Sequence, residues 1–243
     1  DTTNPVLILA LDNLIRGLKL DGIWSKLEIL SVIHDNAADS LLDLKRLQNA
    51  TNNGLPFTAG SGFAKDGVGG YITMNNAGAY GSMTHANGDF HWMMYRSDSA
   101  ADATFDMGCG NTIASPSQTC IFQGDKTPAG MLAGSQYTAS IFTPVGLATD
   151  RFFLTSNTSN TACFTQAENA VTPYSGLTTN SDVPLGHVNS DIFVGNYNSA
   201  GSPLNPGDAG TRIAGWSIGN ALSQPEAANL KTRLDTFMAA IGV

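Results

Sequence analysis

The chain has 243 residues, of which 42% are apolar and only 13% are charged, and its net charge is −8. From Ala50 to Gly210 it carries four basic and eleven acidic residues. This Lys-poor stretch argues against nucleic-acid binding, because neutralised phosphates supply much of that affinity. The longest apolar run, Val6–Leu11, has six residues, whereas a membrane span needs about twenty, so no membrane insertion is expected. No basic stretch precedes Val6, so no signal peptide is expected.

Two helices are predicted at the amino-terminal end. The first extends from about Pro5 to Leu20, with leucines at helical spacing and a proline suited to the first turn. Asp21 and Gly22 end it. The second is predicted from about Trp24 to Leu47, where apolar residues again recur at helical spacing, with a kink or turn at His34–Asn36.

The helical period then disappears, and short stretches rich in aromatic and β-branched residues alternate with turn residues from Phe57 to Gly219. The stretch Asn157–Asn160 is predicted to be a hairpin loop. About nine strands without intervening helices indicate a sandwich or a barrel and not a parallel sheet. The predicted strands are Gly70–Met74, Phe90–Tyr95, Ala103–Met107, Thr119–Gln123, Gln136–Thr143, Asp150–Thr155, Thr161–Gln166, Asp191–Gly195 and Arg212–Ile218.

The carboxyl-terminal helix has the clearest boundaries. Ser223 and Glu226 form a capping-box pattern before it, and Gly242 follows it as a stop. No linker divides the chain, so we expect one domain over 1–243, with a helical segment at 1–48, a β-sandwich at 56–219 and the last helix at 223–241. The predicted buried stripe of this helix is Leu230, Leu234, Phe237, Met238 and Ile241.

Catalytic chemistry has no clear signature, and no catalytic residue is predicted. A glycosidase needs two close carboxyl groups. Of the three glutamates, Glu28 and Glu226 lie in the predicted terminal helices and Glu168 stands alone after a strand, although aspartate pairs leave this alternative open. Gly215–Gly219 matches the Gly-x-Ser-x-Gly pattern, but it lies within a predicted strand and not at a strand-to-helix turn, so no serine nucleophile is predicted. The four histidines are scattered without metal spacing, and His91, in a predicted strand, is interpreted as structural.

No cofactor and no metal site are expected. Asp98, Asp102 and Asp106 recur every four residues, but calcium loops place oxygen ligands at about every second position. A solvated acidic loop is therefore favoured over a calcium site. The cysteines show no zinc spacing and are interpreted as buried or free thiols, with a Cys109–Cys120 staple as the alternative. The three cysteines are Cys109, Cys120 and Cys163.

Three predicted loops combine a tyrosine with small polar residues. A tyrosine face stacks on a sugar ring, and neighbouring amide and hydroxyl groups bond to the sugar hydroxyls. Loops held by a rigid sandwich are common recognition sites, so these loops form the candidate glycan-binding site. The alternative is that each tyrosine lies flat on the sandwich edge. The candidate residues are Tyr80, His85, Asn87, Tyr174, Asn196, Tyr197 and Asn198.

Both ends of the chain resemble bacteriophage virion proteins. At the start, Gly22–Leu30 and Leu41–Leu44 carry the resemblance, and at the end Arg212–Gly219 and Ala221–Ser223 carry it. The segment Asp191–Asn198 resembles the strand and loop that usually precede such an end. Together they resemble phage and prophage proteins with a concanavalin A-like lectin/glucanase (laminin-G-like) jelly-roll domain. The resemblance covers nearly the whole chain, but its specific motifs lie at the two ends.

The resemblance implies a mainly β fold: an antiparallel two-sheet jelly-roll sandwich (concanavalin A-like) with N-terminal helices and a C-terminal helix. It implies a non-enzymatic structural or adhesion module of a tail fibre, spike or capsid fibre on the virion surface, made in the host cytoplasm. The implied partners are a host surface glycan and other virion proteins. A homotrimer is expected from the habits of the family and from the apolar first helix. The alternatives are a polysaccharide-binding or polysaccharide-degrading enzyme domain and a purely structural decoration of the particle.

Overall fold

The structure is a computed structural model. It describes residues 4–74, 89–97, 105–110, 120–126, 129–135, 141–144, 151–159, 162–168, 170–175, 192–199, 202–204 and 211–243. Within these residues there are two large antiparallel sheets, here called sheet I and sheet II, and a two-stranded hairpin. The helices of this part of the chain are α1 (Pro5–Leu20), α2 (Ala37–Ser40) and α3 (Gln224–Ile241).

The long helices α1 and α3 begin and end where the sequence places them. Asn4 caps α1, since its side-chain oxygen accepts the N–H of Val6 at 3.0 Å. Ser223 and Glu226 form the predicted capping box at the start of α3. Gly242 ends α3 in the left-handed conformation, with φ of 84°. Both helix predictions are therefore confirmed.

The predicted second helix, from Trp24 to Leu47, is wrong. The segment instead forms strand β1 (Leu27–Val32), the four-residue α2, and a hairpin of β2 (Leu42–Asp43) with β3 (Gln48–Asn49). The physical reason is burial on both faces of β1, which leaves a short apolar run that periodicity alone cannot assign to helix or strand. Pairing with another buried strand then decides the conformation.

Sheet I contains eight strands in the described part of the chain: β1, β5 (Phe57–Thr58), β6 (Gly62–Ala64), β8 (Phe90–Arg96), β13 (Phe152–Ser159), β14 (Ala162–Ala167), β15 (Ala170–Ser175) and β19 (Arg212–Gly219). Their order is β15-β14-β13-β8-β19-β6-β5, and β1 also pairs with β19. A register shift between Ile213 and Gly215 of β19 turns both Ile213 and Trp216 toward the space between the sheets.

Sheet II contains nine strands in the described part of the chain: β4 (Thr51–Asn53), β7 (Tyr71–Met74), β9 (Phe105–Gly110), β10 (Cys120–Lys126), β11 (Ala129–Ser135), β12 (Ile141–Pro144), β16 (Ile192–Val194), β17 (Tyr197–Ser199) and β18 (Ser202–Leu204). Its main order is β12-β11-β10-β9-β16-β7-β4. Strand β17 pairs antiparallel with β18 and parallel with β9. The β9–β10 register places Cys109 opposite Cys120, and a staple between them stays the alternative to the predicted free thiols.

Two hydrophobic cores hold three layers together. The first fills the space between the sheets, with residues such as Phe63, Trp92, Phe153 and Trp216 from sheet I and Ile72, Met107 and Val194 from sheet II. The second lies between sheet I and the helices, with Leu14, Leu18, Leu230, Leu234 and Phe237 packed on Met93, Phe152 and Leu154. The predicted burial of the α3 stripe is confirmed for Leu230, Leu234, Phe237 and Met238, whereas Ile241 is partly exposed. The predicted fold class, a mainly β antiparallel two-sheet sandwich with terminal helices, is confirmed.

The predicted strands differ from the observed ones mainly in position. The stretch Ala103–Met107 is realised as β9, which begins at Phe105 and extends to Gly110. Of Gln136–Thr143, the structure describes only residues 141–143, which lie in β12, and residues 136–140 lie outside the described part. Apart from β1, β2 and β3, seven described strands correspond to none of the nine predicted ones: β4, β5, β6, β11, β15, β17 and β18. Strands β13 and β14 pair as a hairpin, but residues 157–159, predicted as its loop, belong to β13, and Asn160 lies outside the described residues. No described helix is long and apolar enough to cross a membrane.

Gly62 and Gly60 provide a matched test of the close approach between β6 and β19. Both have positive φ, 90° and 70° respectively. A Cβ at Gly62 would lie 2.1 Å from the carbonyl oxygen of Ile213, whereas a Cβ at Gly60 would meet nothing within 4 Å. We expect Gly60→Ala to cost about 1–2 kcal/mol of stability through its φ alone. Gly62→Ala should cost about 1–3 kcal/mol more through overpacking, measured by denaturant unfolding. Equal losses in the two variants would contradict the close approach.

Candidate functional site

The candidate site lies on the face of sheet II that points away from sheet I. In β7, Ile72 and Met74 enter the core between the sheets, so Tyr71 and Thr73 point outward. In β16, Ile192 and Val194 enter the same core, so Phe193 points outward beside them. The neighbouring β4 adds Asn53. We call Asn53, Tyr71, Thr73 and Phe193 the Tyr71 patch.

Two aromatic rings form the apolar part of the Tyr71 patch. The Tyr71 and Phe193 rings are stacked, with centroids 4.0 Å apart and planes inclined by 22°. Phe193 lies opposite Thr73 in the β16–β7 register, so its contact with Tyr71 is the diagonal contact of two adjacent strands. Phe193 is 3% exposed and Tyr71 is partly exposed. Phe193 therefore supports the Tyr71 ring from one side and restricts its rotation.

Amide and hydroxyl groups border the rings. Asn53 lies opposite Tyr71 in the β4–β7 register. Its side-chain Nδ2 donates to Thr73 Oγ1 at 2.8 Å and to the Thr51 carbonyl at 3.1 Å. Thr51 and Asn53 are exposed, whereas Thr73 is nearly buried. A ring with a fixed orientation, next to exposed groups that can form hydrogen bonds, has the chemistry that contacts a sugar.

The loop before β7 is held by one carboxylate. Asp66 Oδ1 accepts the backbone N–H groups of Val68, Gly69 and Gly70 at 3.0, 3.1 and 3.1 Å. Burial alone would raise the pKa of Asp66, but these N–H donors outweigh it and hold the pKa below its ordinary value. Tyr71 follows this loop directly, so Asp66 fixes the point at which the patch begins.

Phe193, the second aromatic residue of the Tyr71 patch, is positioned by the glycine turn that follows β16. Gly195 follows β16 with φ of 84°, and a Cβ there would lie 2.9 Å from Leu55 Cδ1. Leu55 is itself held by Asn52, whose amide side chain accepts the Leu55 N–H at 2.8 Å and donates to the Leu55 carbonyl at 2.7 Å. The turn therefore packs on an ordered loop, and Phe193 is fixed just before it.

The structure does not bring the predicted site residues together. Tyr80, His85 and Asn87 lie outside the described residues. Tyr174 belongs to β15 of sheet I, whereas Tyr197 and Asn198 belong to β17 of sheet II, so these are strand and not loop positions. As members of a glycan site, the three tyrosines and their neighbours stay a prediction, with one exception.

Asn196 is the exception, because its side chain is fully buried. A side chain without exposed surface cannot contact a glycan on the surface, so its assignment to the binding site is corrected. Gly195 explains the error: the turn at 195–196 folds inward onto Leu55 and does not project into solvent. After the turn, Tyr197 of β17 pairs with Gly108 of β9, and Phe193 of β16 pairs with the same glycine. The backbone thus places Tyr197 near the Tyr71 patch.

The members of the Tyr71 patch were missed because they lie in strands. The stretches Gly70–Met74 and Asp191–Gly195 were both predicted as strands, but the sequence does not state which strands are neighbours. The alternation in Tyr71-Ile72-Thr73-Met74 was the available signal, since it predicts one buried and one outward face.

Glu168, the isolated glutamate of the sandwich, has a structural role. Its Oε1 accepts the Phe152 N–H at 3.0 Å, and its Oε2 pairs with Lys231 Nζ at 2.9 Å. Lys231 also pairs with Asp235 Oδ2 at 2.6 Å. Burial would raise the pKa of Glu168, but Lys231 and the backbone donors lower it. The carboxylate is thus held ionised between sheet I and α3, in a geometry that gives no raised-pKa acid for glycoside hydrolysis.

His91 is a satisfied core residue, as its place in a strand indicated. It has no exposed surface, and its Nδ1 and Nε2 lie 2.6 Å from the Asn220 carbonyl and 3.1 Å from Ser217 Oγ. Among the described residues, no three His, Cys, Asp or Glu side chains are grouped to hold a metal ion. Asp98 and Asp102 of the acidic stretch lie outside the described residues.

Comparison with known proteins gives similarity in structure only. No protein-family model matches the chain, and no curated protein sequence matches it. Among solved structures, a leech intramolecular trans-sialidase complexed with 2,7-anhydro-Neu5Ac has 13% identity and a TM-score of 0.48, over 74% of this chain and 27% of that one. The Ruminococcus gnavus IT-sialidase CBM40 bound to alpha2,3 sialyllactose has 10% identity and a TM-score of 0.46, over 69% and 97% of the two chains.

Domain 4 of AbnA, a GH43 extracellular arabinanase from Geobacillus stearothermophilus, in complex with arabinotriose, has 14% identity and a TM-score of 0.46, over 84% of this chain and 98% of that one. All three TM-scores lie below 0.5, so we draw no conclusion about ligand or activity from these similarities. The assignment of the sandwich fold rests on the strand pairing described above.

Asp66 makes the loop before Tyr71 sensitive to acid. Its pKa is lowered in the folded state, so its contribution to stability is present above the unfolded pKa, about 3.9, and is lost as pH falls through the folded value. We expect Asp66→Asn to lower the free energy of unfolding by about 1–2 kcal/mol at pH 7. In denaturant titrations, the difference from the original protein should shrink as pH falls below about 4 and disappear once pH lies below the lowered pKa of folded Asp66. Asp12→Asn, which removes an exposed carboxylate paired only with Arg16, is the control. A difference for Asp66→Asn that persists at low pH would contradict this role.

Proposed function

We propose that the chain is a non-enzymatic glycan-binding module of a phage or phage-like particle, carried on a tail fibre, spike or capsid fibre at the virion surface. The observation that carries the glycan-binding part is the Tyr71 patch, in which stacked rings and amide and hydroxyl groups share one outward face of sheet II. The phage part is supported by the resemblance of Gly22–Leu30 and Arg212–Gly219 to virion proteins.

The chemistry of the patch favours a neutral sugar. None of its four side chains carries a charge, so a ligand would be bound by ring stacking and hydrogen bonds. Phe193 holds the Tyr71 ring in place, which lowers the ordering cost of binding. The host surface glycan proposed as partner would therefore contact Tyr71 through a sugar face and Asn53 through its hydroxyls.

A purely structural role on the particle is the second candidate, and one observation favours it. Val6, Ile8 and Leu9 of α1 are 54%, 48% and 60% exposed, which is an apolar surface that an interface would cover. This surface also supports the proposed homotrimer and contact with other virion proteins. Sheet II faces away from the helices, so such an interface would leave the Tyr71 patch uncovered.

Substitutions in the patch test glycan binding. Tyr71→Ala is expected to weaken binding by about 1–3 kcal/mol, as for a central aromatic anchor, while Tyr71→Phe should retain most of the affinity. Asn53→Ala should weaken binding and also lower the melting temperature slightly, because the hydrogen bonds of Asn53 to Thr73 Oγ1 and to the Thr51 carbonyl are lost. Binding to a glycan array, followed by calorimetry on the best ligand, is the measurement, and a ligand that is bound without being hydrolysed supports the non-enzymatic role.

Tyr197→Ala and Tyr174→Ala test whether the tyrosines predicted from the sequence contribute to glycan binding together with the Tyr71 patch. Tyr197 lies on sheet II near the patch, so its loss should reduce affinity by about 1–3 kcal/mol. Tyr174 lies on sheet I and serves as the control. If Tyr174→Ala weakens binding and Tyr71→Ala does not, the patch is not the site.

Assembly is tested on the protein and on its parent particle. We expect a homotrimer in light scattering, with Leu9→Asp shifting the mass toward the monomer because a charge would enter an apolar interface. Cryo-electron microscopy of the particle should place sheet II outward and α1 in the joint. A monomer at micromolar concentration, or a buried sheet II, would contradict the proposed arrangement.

A further inference from the structure

A second polar and aromatic cluster lies at the opposite side of the molecule, where α1 ends. Trp24 follows the last turn of α1, and its backbone N–H donates to the Leu18 carbonyl at 3.0 Å. Its partly exposed indole packs against the core between sheet I and the helices. Two ammonium groups contact the indole: Lys45 Nζ lies 4.6 Å from a ring centroid and Lys19 Nζ lies 5.6 Å away. We call Lys19, Trp24 and Lys45 the Trp24 corner.

Backbone contacts hold the Lys45 side chain at the indole. Its Nζ donates to the Trp24 carbonyl at 2.8 Å, and its backbone N–H donates to Asp43 Oδ1 at 2.9 Å. Burial lowers the pKa of Lys45, and the charge of Lys19 lowers it further, while Asp43 opposes both. The two lysine charges are thus close enough to repel each other.

The cationic side chains next to the Trp24 corner form ion pairs, whereas Lys19 and Lys45 form none among the described residues. Lys26 pairs with Glu226 at 2.7 Å, Arg46 pairs with Glu28 at 3.2 Å, and Arg233 pairs with Asp21 at 2.9 Å. In the part of the chain that the structure describes, neither lysine of the Trp24 corner forms an ion pair. The charge of the buried Asp43 carboxylate also acts on Lys45 and offsets part of the two lysine charges, so the corner is a local excess of positive charge on a chain whose net charge is −8.

We propose that the Trp24 corner binds a compact oxyanion, the carboxylate or sulfate group of an acidic sugar. Each ammonium has three donors, and Lys45 uses one of them on the Trp24 carbonyl, which leaves donors on both lysines for the oxygens of one anion. A bound anion would remove the repulsion between the two charges. The ligand class rests on the proposed glycan-binding function, but the site does not, since it lies on the helix-covered side and the Tyr71 patch lies on sheet II.

Trp24 reports on its own site. The other two tryptophans, Trp92 and Trp216, are 4% and 1% exposed in the core between the sheets, so ionic quenchers in solution reach mainly Trp24. Iodide serves as the anionic probe and caesium as the cationic one, at constant ionic strength. Each quenching constant is divided by that of N-acetyltryptophanamide. We expect the normalised iodide constant to exceed the caesium constant by about threefold or more, because both lysines attract iodide.

Single charge removals locate the effect. Lys19→Gln should lower the iodide constant by about half, and adding Lys45→Gln should bring it close to the caesium value. Arg16→Gln removes an exposed charge one turn earlier on α1, from a side chain paired with Asp12, and should leave the iodide constant unchanged. Equal iodide and caesium constants in the original protein, or an equal loss in Arg16→Gln, would overturn the proposal. Lys19→Gln keeps the contact of Lys45 with the Trp24 carbonyl, so this variant is informative even if Lys45→Gln fails to fold.

Competition identifies the source of the oxyanion. Sodium sulfate and glucuronate should each protect Trp24 from iodide, and glucose should not. Tighter protection by glucuronate assigns the site to a sugar-borne carboxylate, and tighter protection by sulfate assigns it to a sulfate group. Absence of protection by both anions would overturn the proposal, whatever the result of Tyr71→Ala. Conversely, loss of glycan binding in Tyr71→Ala with iodide quenching intact would leave the Trp24 corner unaffected, so the two sites can fail separately.

Discussion

Strand β19 is the element on which the rest of the structure depends. It pairs with β8, β6 and β1, and all its residues after Arg212 are buried. Glycines permit these contacts: a Cβ at Gly219 would lie 2.1 Å from the Lys26 carbonyl oxygen, and a Cβ at Gly215 would lie 3.0 Å from that of Ser31. The bulge between Ile213 and Gly215 then directs Trp216 into the core between the sheets. A strand buried on both faces joins the two cores, so the helices, sheet I and sheet II are all organised around it.

This arrangement decides where recognition can occur. In the described part of the chain, α1 and α3 pack on one face of sheet I and sheet II packs on the other. The two candidate sites lie elsewhere, on the outward face of sheet II and at the corner where α1 ends. Their chemistry differs: the Tyr71 patch is uncharged, whereas the Trp24 corner carries two ammonium groups that form no ion pair among the described residues. Because the two sites lie on opposite sides of the module, one sugar ring cannot occupy both, and each would bind its ligand group independently.

The sequence predicts those elements whose signals are local. Ser223, Glu226 and Gly242 are cap residues, and capping depends on neighbours within a few positions, so α3 was predicted with its boundaries. Leu27–Val32 was assigned to a helix because its conformation is decided by pairing with β19, which no local pattern records. The same limit applies to the site, since the stacking of Tyr71 on Phe193 requires that β7 and β16 be neighbours. Asn196 is buried for a related reason, because the turn at Gly195 packs on Leu55, which lies 140 positions earlier in the chain.

The two segments that resemble phage virion proteins belong to the buried scaffold and not to the surface of sheet II. Its two specific motifs, Gly22–Leu30 and Arg212–Gly219, contain β1 and β19, and these strands pair with each other at the centre of sheet I. Motifs placed there are constrained by packing, with Gly219 against Lys26 and Ile29 in the core between the sheets. They therefore carry information about the fold and little about the ligand. The outward-pointing Tyr71 and Asn53 of sheet II take no part in the pairing of β1 with β19, so they can change without disturbing that scaffold.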